Sequence, residues 1–282
     1  MVLHSHEPAL AGKVLVVIGG TTGLGLSAAL AFLNEGARIV AVGLEPESTE
    51  AAGREFGSAG VAVCADATLP ETAPAAIQTA LTHFGDFHGL YHVAGGSGRR
   101  WGDGLLHELS DEAWRATLEL NLTSVMYSNR AAVRHWLAQG AGGTVLNLSS
   151  VLAFAPSAPF FATHAYATAK AAIVGLTKAA AAAYAAANIR FNALAPGLIA
   201  TPMSRRAQAD AAIRQFIHTK QPLDGGRIGR PEDLDVLAVY FMGDASRFTT
   251  GQVLAVDGGW SLADGQLPAS AQNPLTGPPP GP

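Results

Sequence analysis

Short apolar runs alternate with longer amphipathic segments along most of this 282-residue chain. Six runs of four to seven residues carry little charge and end near glycine or polar positions, which is typical of strands buried on both faces of a parallel sheet. The pattern predicts an α/β fold, a doubly wound parallel sheet of about seven strands with helices on both faces, in a single domain. The predicted strands are residues 14–18, 38–42, 61–64, 87–93, 143–148 and 190–194, and the clearest helices are residues 26–34, 71–83, 111–139 and 164–187.

Glycine and polar residues follow these predicted strands directly. In parallel α/β sheets, ligands bind beyond the carboxyl ends of the strands, so these positions are the first candidates for a site. Loops supply such residues in any protein, and the clustering supports a site without proving one. The residues are Gly19, Gly43, Asp66, Ala94, Ser150 and Pro196.

The first strand leads into a glycine-rich turn with the spacing G-x-x-x-G-x-G. Glycine lets the backbone approach a pyrophosphate closely, and the amides at the start of the following helix attract the negative charge. Glycine clusters also mark ordinary turns, so the turn alone leaves both interpretations open. The candidate phosphate-binding residues are Gly19, Thr21, Thr22, Gly23, Leu24 and Gly25.

A second motif, Tyr-x-x-x-Lys, joins Tyr166 and Lys170 within a predicted helix. Residues four apart share a helix face, so the ammonium is predicted to lie beside the phenol and to lower its pKa from the usual value near ~10. Such a phenol can exchange a proton with a carbonyl oxygen near neutral pH. The pair therefore indicates hydride-transfer chemistry at a carbonyl or hydroxyl group.

From about residue 11 to residue 264, the chain resembles the short-chain dehydrogenase/reductase family, whose fold is a Rossmann-type sheet. Besides the glycine turn and the Tyr-x-x-x-Lys pair, five kinds of segment carry the likeness, in the family's order. They are CAD at 64–66, LNL at 120–122, NLSSV at 147–151, NALAPGLIATP at 192–202, and the closing segments at 226–233 and 250–259.

The resemblance implies roles for four residues. Tyr166 would be the general acid in reduction and the base in oxidation, and Ser150 would polarise the substrate oxygen. Lys170 would hold the nicotinamide ribose and lower the pKa of the tyrosine, and Asn121 would position a water that links Lys170 to solvent. For Asn121 the alternative is a mid-helix side chain bonded to backbone. Ser149 is the alternative to Ser150, which is preferred because the family's serine is the second of such a pair.

The resemblance also implies a dinucleotide cofactor along the strand ends. Gly43-Leu44-Glu45 offers no basic side chain for a 2′-phosphate, and Glu45 can accept from ribose hydroxyls, so NAD is favoured over NADP. The implied cofactor contacts are Gly19, Thr21, Thr22, Gly23, Leu24, Gly25, Gly43, Leu44, Asp66, Ala67, His92, Ala94, Gly95, Tyr166, Lys170, Pro196, Gly197, Ile199 and Thr201.

Two segments depart from the family pattern. Residues 92–95 read His-Val-Ala-Gly where the family has Asn-Asn-Ala-Gly, and His92 either replaces an amide contact or fills the turn. The loop between Ser150 and Tyr166 is longer than in the common form of the family, and residues 201–227 are predicted to form a mobile substrate lid. The apolar residues of the longer loop line a substrate pocket or pack under the lid. They are Phe154, Pro156, Pro159, Phe160 and Phe161.

Composition narrows the classes of function. With 49% hydrophobic residues and a net charge of −4, the chain can bury a large core and shows no basic run for nucleic acid or an anionic membrane. The histidine spacing indicates no metal site. The arginine pair at 99–100 can meet an anionic substrate, although solvated loop arginines are the commoner case.

The chain has a single cysteine, Cys64, which excludes an internal disulfide and is typical of a protein from a reducing, cytoplasmic compartment. Cys64 is expected to be buried in its strand. The predicted domain covers residues 11–264. Residues 1–10 are predicted to form a flexible tail, and the proline-rich residues 265–282 are predicted to be disordered.

Two classes of function remain. The first is an NAD(P)-dependent oxidoreductase that interconverts a secondary alcohol and a ketone, and the aromatic loop favours a bulky or cyclic apolar substrate; a 3-oxoacyl reductase is the rival within the family. The second is a non-catalytic dinucleotide-binding scaffold or regulator, which has no need of a proton donor beside a cation. The resemblance also implies a homodimer or homotetramer, paired through the alanine-rich helix.

Overall fold

A computed structural model describes residues 8–267 and shows one sheet of seven parallel strands in the order β3-β2-β1-β4-β5-β6-β7. The order reverses between β1 and β4, so the doubly wound fold predicted from the sequence is confirmed. The strands are β1 Val14–Ile18, β2 Arg38–Gly43, β3 Gly60–Cys64, β4 Gly89–His92, β5 Gly143–Leu148, β6 Ile189–Pro196 and β7 Val253–Val256.

Helices cover both faces of this sheet. They are α1 Gly23–Asn34, α2 Pro46–Phe56, α3 Thr72–Phe84, α4 Asp111–Leu118, α5 Ser124–Gln139, α6 Ala158–Phe161, α7 His164–Tyr184, α8 Arg205–Ala209, α9 Ala211–Lys220 and α10 Asp235–Met242. One apolar core lies between the sheet and α1 and α10, and a second lies between the sheet and α3, α5 and α7. Every residue of β1 is buried, because this strand is covered by helices on both sides.

The predicted strands agree with the observed ones to within two residues at each end. The seventh strand, β7, was not delimited from the sequence because it holds only four residues at the edge of the sheet. The predicted helix 111–139 is divided by a π turn, Glu119–Thr123, between α4 and α5. This turn carries one of the candidate site residues, Asn121.

Two predictions are wrong, the burial of Cys64 and the extension of the flexible tail to residue 10. Cys64 is exposed, because it is the last residue of β3 and β3 is the other edge strand of the sheet. Leu10 is fully buried in the core beside α1 and its amide donates to the carbonyl of Glu35 at 2.9 Å, so the ordered domain includes residues assigned to the flexible tail. The predictions for residues 1–7 and 268–282 lie outside the described residues.

No helix within residues 8–267 has the length and apolar character needed to cross a membrane. Across the same range, no three His, Cys, Asp or Glu side chains come together as metal ligands do.

Candidate active site

A cavity of about 720 Å³ opens at the carboxyl ends of the strands. Most of the residues predicted from the sequence line it: Gly19, Thr21, Thr22, Gly23, Leu24, Gly43, Leu44, Asp66, Ala67, Ala94, Gly95, Ser150, Tyr166, Pro196, Gly197, Ile199 and Thr201. Four predicted residues do not line the cavity: Gly25, His92, Asn121 and Lys170. The topology therefore gathers segments that are far apart in sequence at one edge of the sheet.

The glycine turn between β1 and α1 forms one wall of the cavity. A Cβ atom on Gly19 would lie 2.5 Å from the amide nitrogen of Ala94, and one on Gly25 would overlap the carbonyl oxygen of Gly19. The helix α1 begins at Gly23, and the side chain of Thr22 makes no cap hydrogen bond to its first amides. Uncapped amides beside a tightly packed backbone are suited to a diphosphate group. Gly25 does not line the cavity, but its lack of a side chain allows the turn to pack closely against Gly19.

The ends of β2 and β3 form the second wall. There is no room for a side chain at Gly43, because a Cβ atom there would overlap Thr21 Oγ1. Asp66 Oδ1 accepts hydrogen bonds from the backbone amide and the hydroxyl of Thr68, both at 2.8 Å, which fixes this carboxylate beside the cavity. Glu45 immediately precedes α2 with an exposed side chain outside the cavity lining.

The two serines after β5 have different partners. Ser149 Oγ donates to the carbonyl of Lys170 at 2.8 Å, so this hydroxyl is committed to the backbone of α7. Ser150 Oγ accepts from the amide of Leu152 at 3.2 Å, and the Ser150 hydroxyl is close enough to the phenol of Tyr166 to lower its pKa. This division supports Ser150 over Ser149 as the residue that meets a substrate.

Tyr166 and Lys170 lie one turn apart on α7, with Lys170 Nζ 5.5 Å from the centre of the tyrosine ring. Only 2% of Lys170 is exposed, and its Nζ donates to the carbonyl of Leu148 at 2.8 Å. Burial lowers the pKa of Lys170 to about 8. Burial also raises the pKa of Tyr166 to about 12, against the smaller opposing effect of the nearby Ser150 hydroxyl. The pKa of this tyrosine in the protein alone thus lies above its usual value, because desolvation of the phenolate dominates. The lowering of this pKa by Lys170 stays a prediction.

Asn121 lies in the π turn, and the hydrogen bonds of its side-chain amide go to backbone. Its Nδ2 donates to the carbonyls of Gly96 at 2.9 Å and Thr117 at 3.0 Å, and its Oδ1 accepts from the amide of Gly96 at 3.0 Å. The amide thereby fixes the glycine turn after β4. A Cβ atom on Gly95 would lie 2.8 Å from Asn121 Oδ1 and 3.4 Å from Lys170 Nζ, so the turn adjoins the lysine. The water-positioning role stays a prediction.

The structure contradicts a cofactor contact by the side chain of His92. This side chain is 1% exposed, its Nδ1 lies 2.7 Å from Ser128 Oγ and its Nε2 lies 3.3 Å from Ser124 Oγ. Burial, together with the charge of Lys170, lowers the pKa of His92 to about 3, so the ring is neutral. The ring of His92, at the end of β4, fills the space against α5 and makes no cofactor contact, which agrees with the alternative of a filling role, although His92 ends the strand and does not lie in the turn.

The longer loop after Ser150 and the predicted lid pack against each other. Phe160 contacts Phe216 with ring centres 5.4 Å apart, and Phe161 contacts Trp260 at 5.3 Å. Of the five apolar loop residues singled out in the sequence, Phe161 lines the cavity, while Phe154 is half exposed. The second half of the predicted lid is anchored in a small core by Ile213, Phe216 and Ile217, and Met203 in its first half lines the cavity.

Asp103 is a candidate site residue that the sequence did not indicate. Its carboxylate is 3% exposed, and its two oxygens accept from the amide of Ala165 at 3.0 Å and from the amide of Tyr166 itself at 2.9 Å. A carboxylate at the start of α7 satisfies amides that have no partner within the helix and fixes the turn that carries the phenol. The contact spans 63 positions, and the only sequence signal is an acidic residue between two glycines.

We expect Asp103→Ala to lower kcat by about 10- to 100-fold, because a small displacement of the phenol lowers the fraction of reactive geometries. It should also lower the free energy of unfolding by about 2–4 kcal/mol, because two buried amides lose their acceptor. Steady-state kinetics and urea unfolding measure the two effects. Asp103→Asn should recover part of both, since one acceptor oxygen remains, and the exposed Asp111→Asn is the control. A folded Asp103→Ala variant with the kcat of the wild type would rule out the positioning role.

Comparison with known proteins places the chain in a family. The profile of the family described as Enoyl-(Acyl carrier protein) reductase matches residues 19–261. The chain is 35% identical to a cis-4-hydroxycyclohexanecarboxylate dehydrogenase of Sinomonas cyclohexanicum, over 90% of this chain and 98% of that protein. It is 32% identical to 3beta-hydroxysteroid dehydrogenase 2 of Eggerthella lenta, over 91% and 97% of the two chains. A short-chain type dehydrogenase/reductase from Mycobacterium ulcerans has a similar structure, with a TM-score of 0.83 and 30% identity over 90% of this chain and 92% of that one.

The fold and the site thus define a nicotinamide-dependent oxidoreductase that acts on CH–OH groups. The chain belongs to the short-chain dehydrogenase/reductase family, as its ordered motifs indicated.

Proposed function

We propose that this protein is an NAD-dependent dehydrogenase that interconverts a cyclic or bulky apolar secondary alcohol and its ketone. The observation that carries the proposal is the arrangement of Tyr166 and Ser150 at the cavity wall, with the ammonium of Lys170 buried behind the phenol. A non-catalytic scaffold would gain nothing from burying a cation there, because an uncompensated buried charge is costly.

The residues of the cavity fit a dinucleotide. The glycine turn would hold its diphosphate, Asp66 its adenine end, and residues 196–201 its nicotinamide end. When bound, the cofactor supplies or accepts the hydride. Gly19 and Gly43 support the fit, because their backbones face the cavity where a Cβ atom would meet Ala94 or Thr21.

The protein's own side chains would carry the proton. In ketone reduction, the hydroxyl of Tyr166 donates its proton to the carbonyl oxygen while the hydroxyl of Ser150 donates a hydrogen bond to the same atom. In alcohol oxidation, the phenolate oxygen of Tyr166 takes up the hydroxyl proton and becomes the neutral phenol. Lys170 favours the phenolate that forms, because its charge lies 5.5 Å from the centre of the ring.

The walls of the cavity support an apolar ring as the substrate. Leu152, Phe161, Met203 and Trp260 line the part near Ser150, and such surfaces bind the hydrocarbon face of a ligand. Two of the similar proteins act, by their names, on a hydroxycyclohexanecarboxylate and a hydroxysteroid. Membership in the family supports assembly into a homo-oligomer, and exposed apolar side chains such as Phe248 and Leu262 are available to an interface.

Fluorescence titration with NADH and NADPH tests the cofactor assignment. We expect tighter binding of NADH, because residues 43–45 at the end of β2 include no basic side chain that could bind a 2′-phosphate. Glu45→Ala should raise the affinity for NADPH, whereas Glu47→Ala, an exposed acid two positions further along, should not. Tighter binding of NADPH would overturn the NAD assignment. Binding of neither nucleotide, or binding without turnover on a panel of cyclic ketones, would favour the scaffold.

A further inference from the structure

Two arginines converge at the substrate side of the cavity. Arg99 lies in the 3₁₀ turn Gly98–Trp101 after β4, and Arg206 lies on α8. Their Nη2 atoms donate to the same acceptor, the carbonyl oxygen of Phe160, at 3.0 Å and 3.1 Å. Both side chains line the cavity that Ser150 and Tyr166 also line. Segments separated by more than a hundred residues thus bring two positive charges to one point.

Within residues 8–267, neither guanidinium has an ion-pair partner. Asp66 is the one acidic residue in the described cavity lining, and it follows β3, at the end of the cavity proposed to hold the adenine. The carboxylate of Asp103 is near Arg99, but both of its oxygens accept from the backbone of α7. By contrast, Arg227 bonds both Asp224 and Asp233. No carboxylate among residues 8–267 therefore forms an ion pair with either arginine, and both side chains are exposed to solvent.

The two guanidinium groups also repel each other. Partial burial, and after it the charge of Arg206, lower the pKa of Arg99, although a guanidinium stays charged at neutral pH. Each guanidinium has five N–H donors, and the carbonyl of Phe160 takes one from each. Most of the donors remain available. Two planar forks beside each other match the oxygens of an acidic group better than they match a neutral one.

Arg100 also lines the cavity, but its guanidinium is held differently in the same turn. Its guanidinium stacks over the ring of Trp101 at 4.0 Å, an arrangement that stabilises the loop and needs no ligand. Arg99 and Arg206 have no such aromatic partner among the described residues. Their placement beside the apolar wall made by Phe161 and Trp260 fits a substrate with a hydrocarbon body and one anionic end.

We propose that the alcohol or ketone substrate carries a carboxylate, which Arg99 and Arg206 bind while the reacting carbon lies at Ser150 and Tyr166. This inference rests on the proposed function and narrows its substrate class from cyclic apolar ketones to cyclic oxo acids. The pair would orient the substrate as well as bind it, because two points of attachment, the carboxylate and the carbonyl oxygen, fix which face of the ring meets the cofactor.

Substrate pairs that differ only in charge test the proposal. 4-Oxocyclohexanecarboxylate would be compared with its methyl ester, and with a neutral oxosteroid as a large apolar ketone, using NADH as the reductant. We expect kcat/KM for the acid to exceed that for the ester by about tenfold or more, since charged hydrogen bonds of this kind are each worth a factor of about 10 to 100. Equal rates for acid and ester, or a preference for the oxosteroid, would contradict the proposal that the substrate carries a carboxylate, and would leave the proposed function intact. Turnover of none of the three would contradict both.

Variants assign the preference to the two arginines. In Arg99→Gln/Arg206→Gln, the ratio of kcat/KM for acid and ester should fall by at least about tenfold. Arg205→Gln is the matched control, because Arg205 is an exposed arginine of the same helix outside the cavity lining. The NADH affinity of the double variant should match that of the wild type. A loss of NADH binding would instead assign the arginines to the cofactor and overturn the proposal.

Inhibition by unreactive ligands gives a readout that does not depend on turnover of the acid. With the ester as substrate, cyclohexanecarboxylate should inhibit competitively and cyclohexanecarboxamide should inhibit at least about tenfold more weakly. The double variant should lose this difference, and Arg205→Gln should keep it. Equal inhibition of the wild type by both ligands would contradict binding of a carboxylate by the arginines. Stronger inhibition by cyclohexyl phosphate would indicate that the arginines bind a phosphate group instead of a carboxylate.

Discussion

Tyr166→Phe should lower kcat by about 10²- to 10⁴-fold and leave the affinity for NADH nearly unchanged. The substitution removes one hydroxyl, the proposed proton donor, from the cavity wall. The ring that packs beside Lys170 remains, so the geometry of the nucleotide site should be preserved. Steady-state kinetics with a cyclic ketone and NADH fluorescence titration measure the two quantities on the same preparation.

Tyr184→Phe is the matched control for this experiment. Tyr184 lies at the other end of the same helix, packs against Phe191 with tilted rings whose centres are 6.1 Å apart, and does not line the cavity. Its loss should leave kcat within about threefold of the wild type, the range of a small structural effect. A Tyr166→Phe variant that retains more than about a tenth of wild-type turnover would assign the proton transfer to another group.

The sheet could be predicted from the sequence because its strands are covered on both faces. A parallel strand with two buried faces needs an uninterrupted apolar run, and such a run is visible without structural data. The strands at the edges of the sheet are covered less completely. β7 is short and partly exposed, and Cys64 at the end of β3 faces solvent although its strand reads as apolar. Where one face is open, the apolar pattern no longer reports burial.

The candidate site was predictable where a residue acts through its own motif and not where it acts through a distant contact. The positions of Tyr166 and Lys170 follow from helical spacing, and the glycine turn follows from the strand before it. The bond from Asp103 to Tyr166 and the shared acceptor of Arg99 and Arg206 depend on loops that tertiary packing brings together. The sign of the tyrosine pKa shift likewise depends on burial, which spacing alone does not show.

The buried charge of Lys170 is expected to lower the stability of the fold and to support the proposed proton transfer. Its side chain is 2% exposed and its ammonium donates to one carbonyl, that of Leu148. Burial lowers the pKa of Lys170 from 10.5 to about 8, so the folded protein releases this proton at a lower pH than the unfolded chain does. Between those two pH values the unfolded chain binds more protons, and the free energy of unfolding therefore rises with pH in that window. Below pH 8 both states are protonated, and the cost of burying the charge is present in full.

Lys170→Met should therefore raise the free energy of unfolding at pH 7 by about 1–3 kcal/mol while abolishing most turnover. The thioether side chain fills a similar volume without a charge, but it offers no cation to stabilise the phenolate of Tyr166. Relative to the wild type, the gain in stability should shrink as the pH rises from 8 to 10.5, because the wild-type lysine loses its proton over that range. Urea unfolding at pH 7 and pH 9.5, combined with kinetics, measures both effects.

Lys178→Met is the control for this comparison, because it removes a lysine charge that is not buried. Lys178 lies on the same helix but is exposed, so removing its charge should leave stability within about 0.5 kcal/mol at either pH. A Lys170→Met variant that is less stable than the wild type at pH 7 would mean that the bond to Leu148 more than compensates for desolvation. Greater stability with lost turnover would instead mean that the fold tolerates an unfavourable buried charge because the proton transfer at Tyr166 requires it.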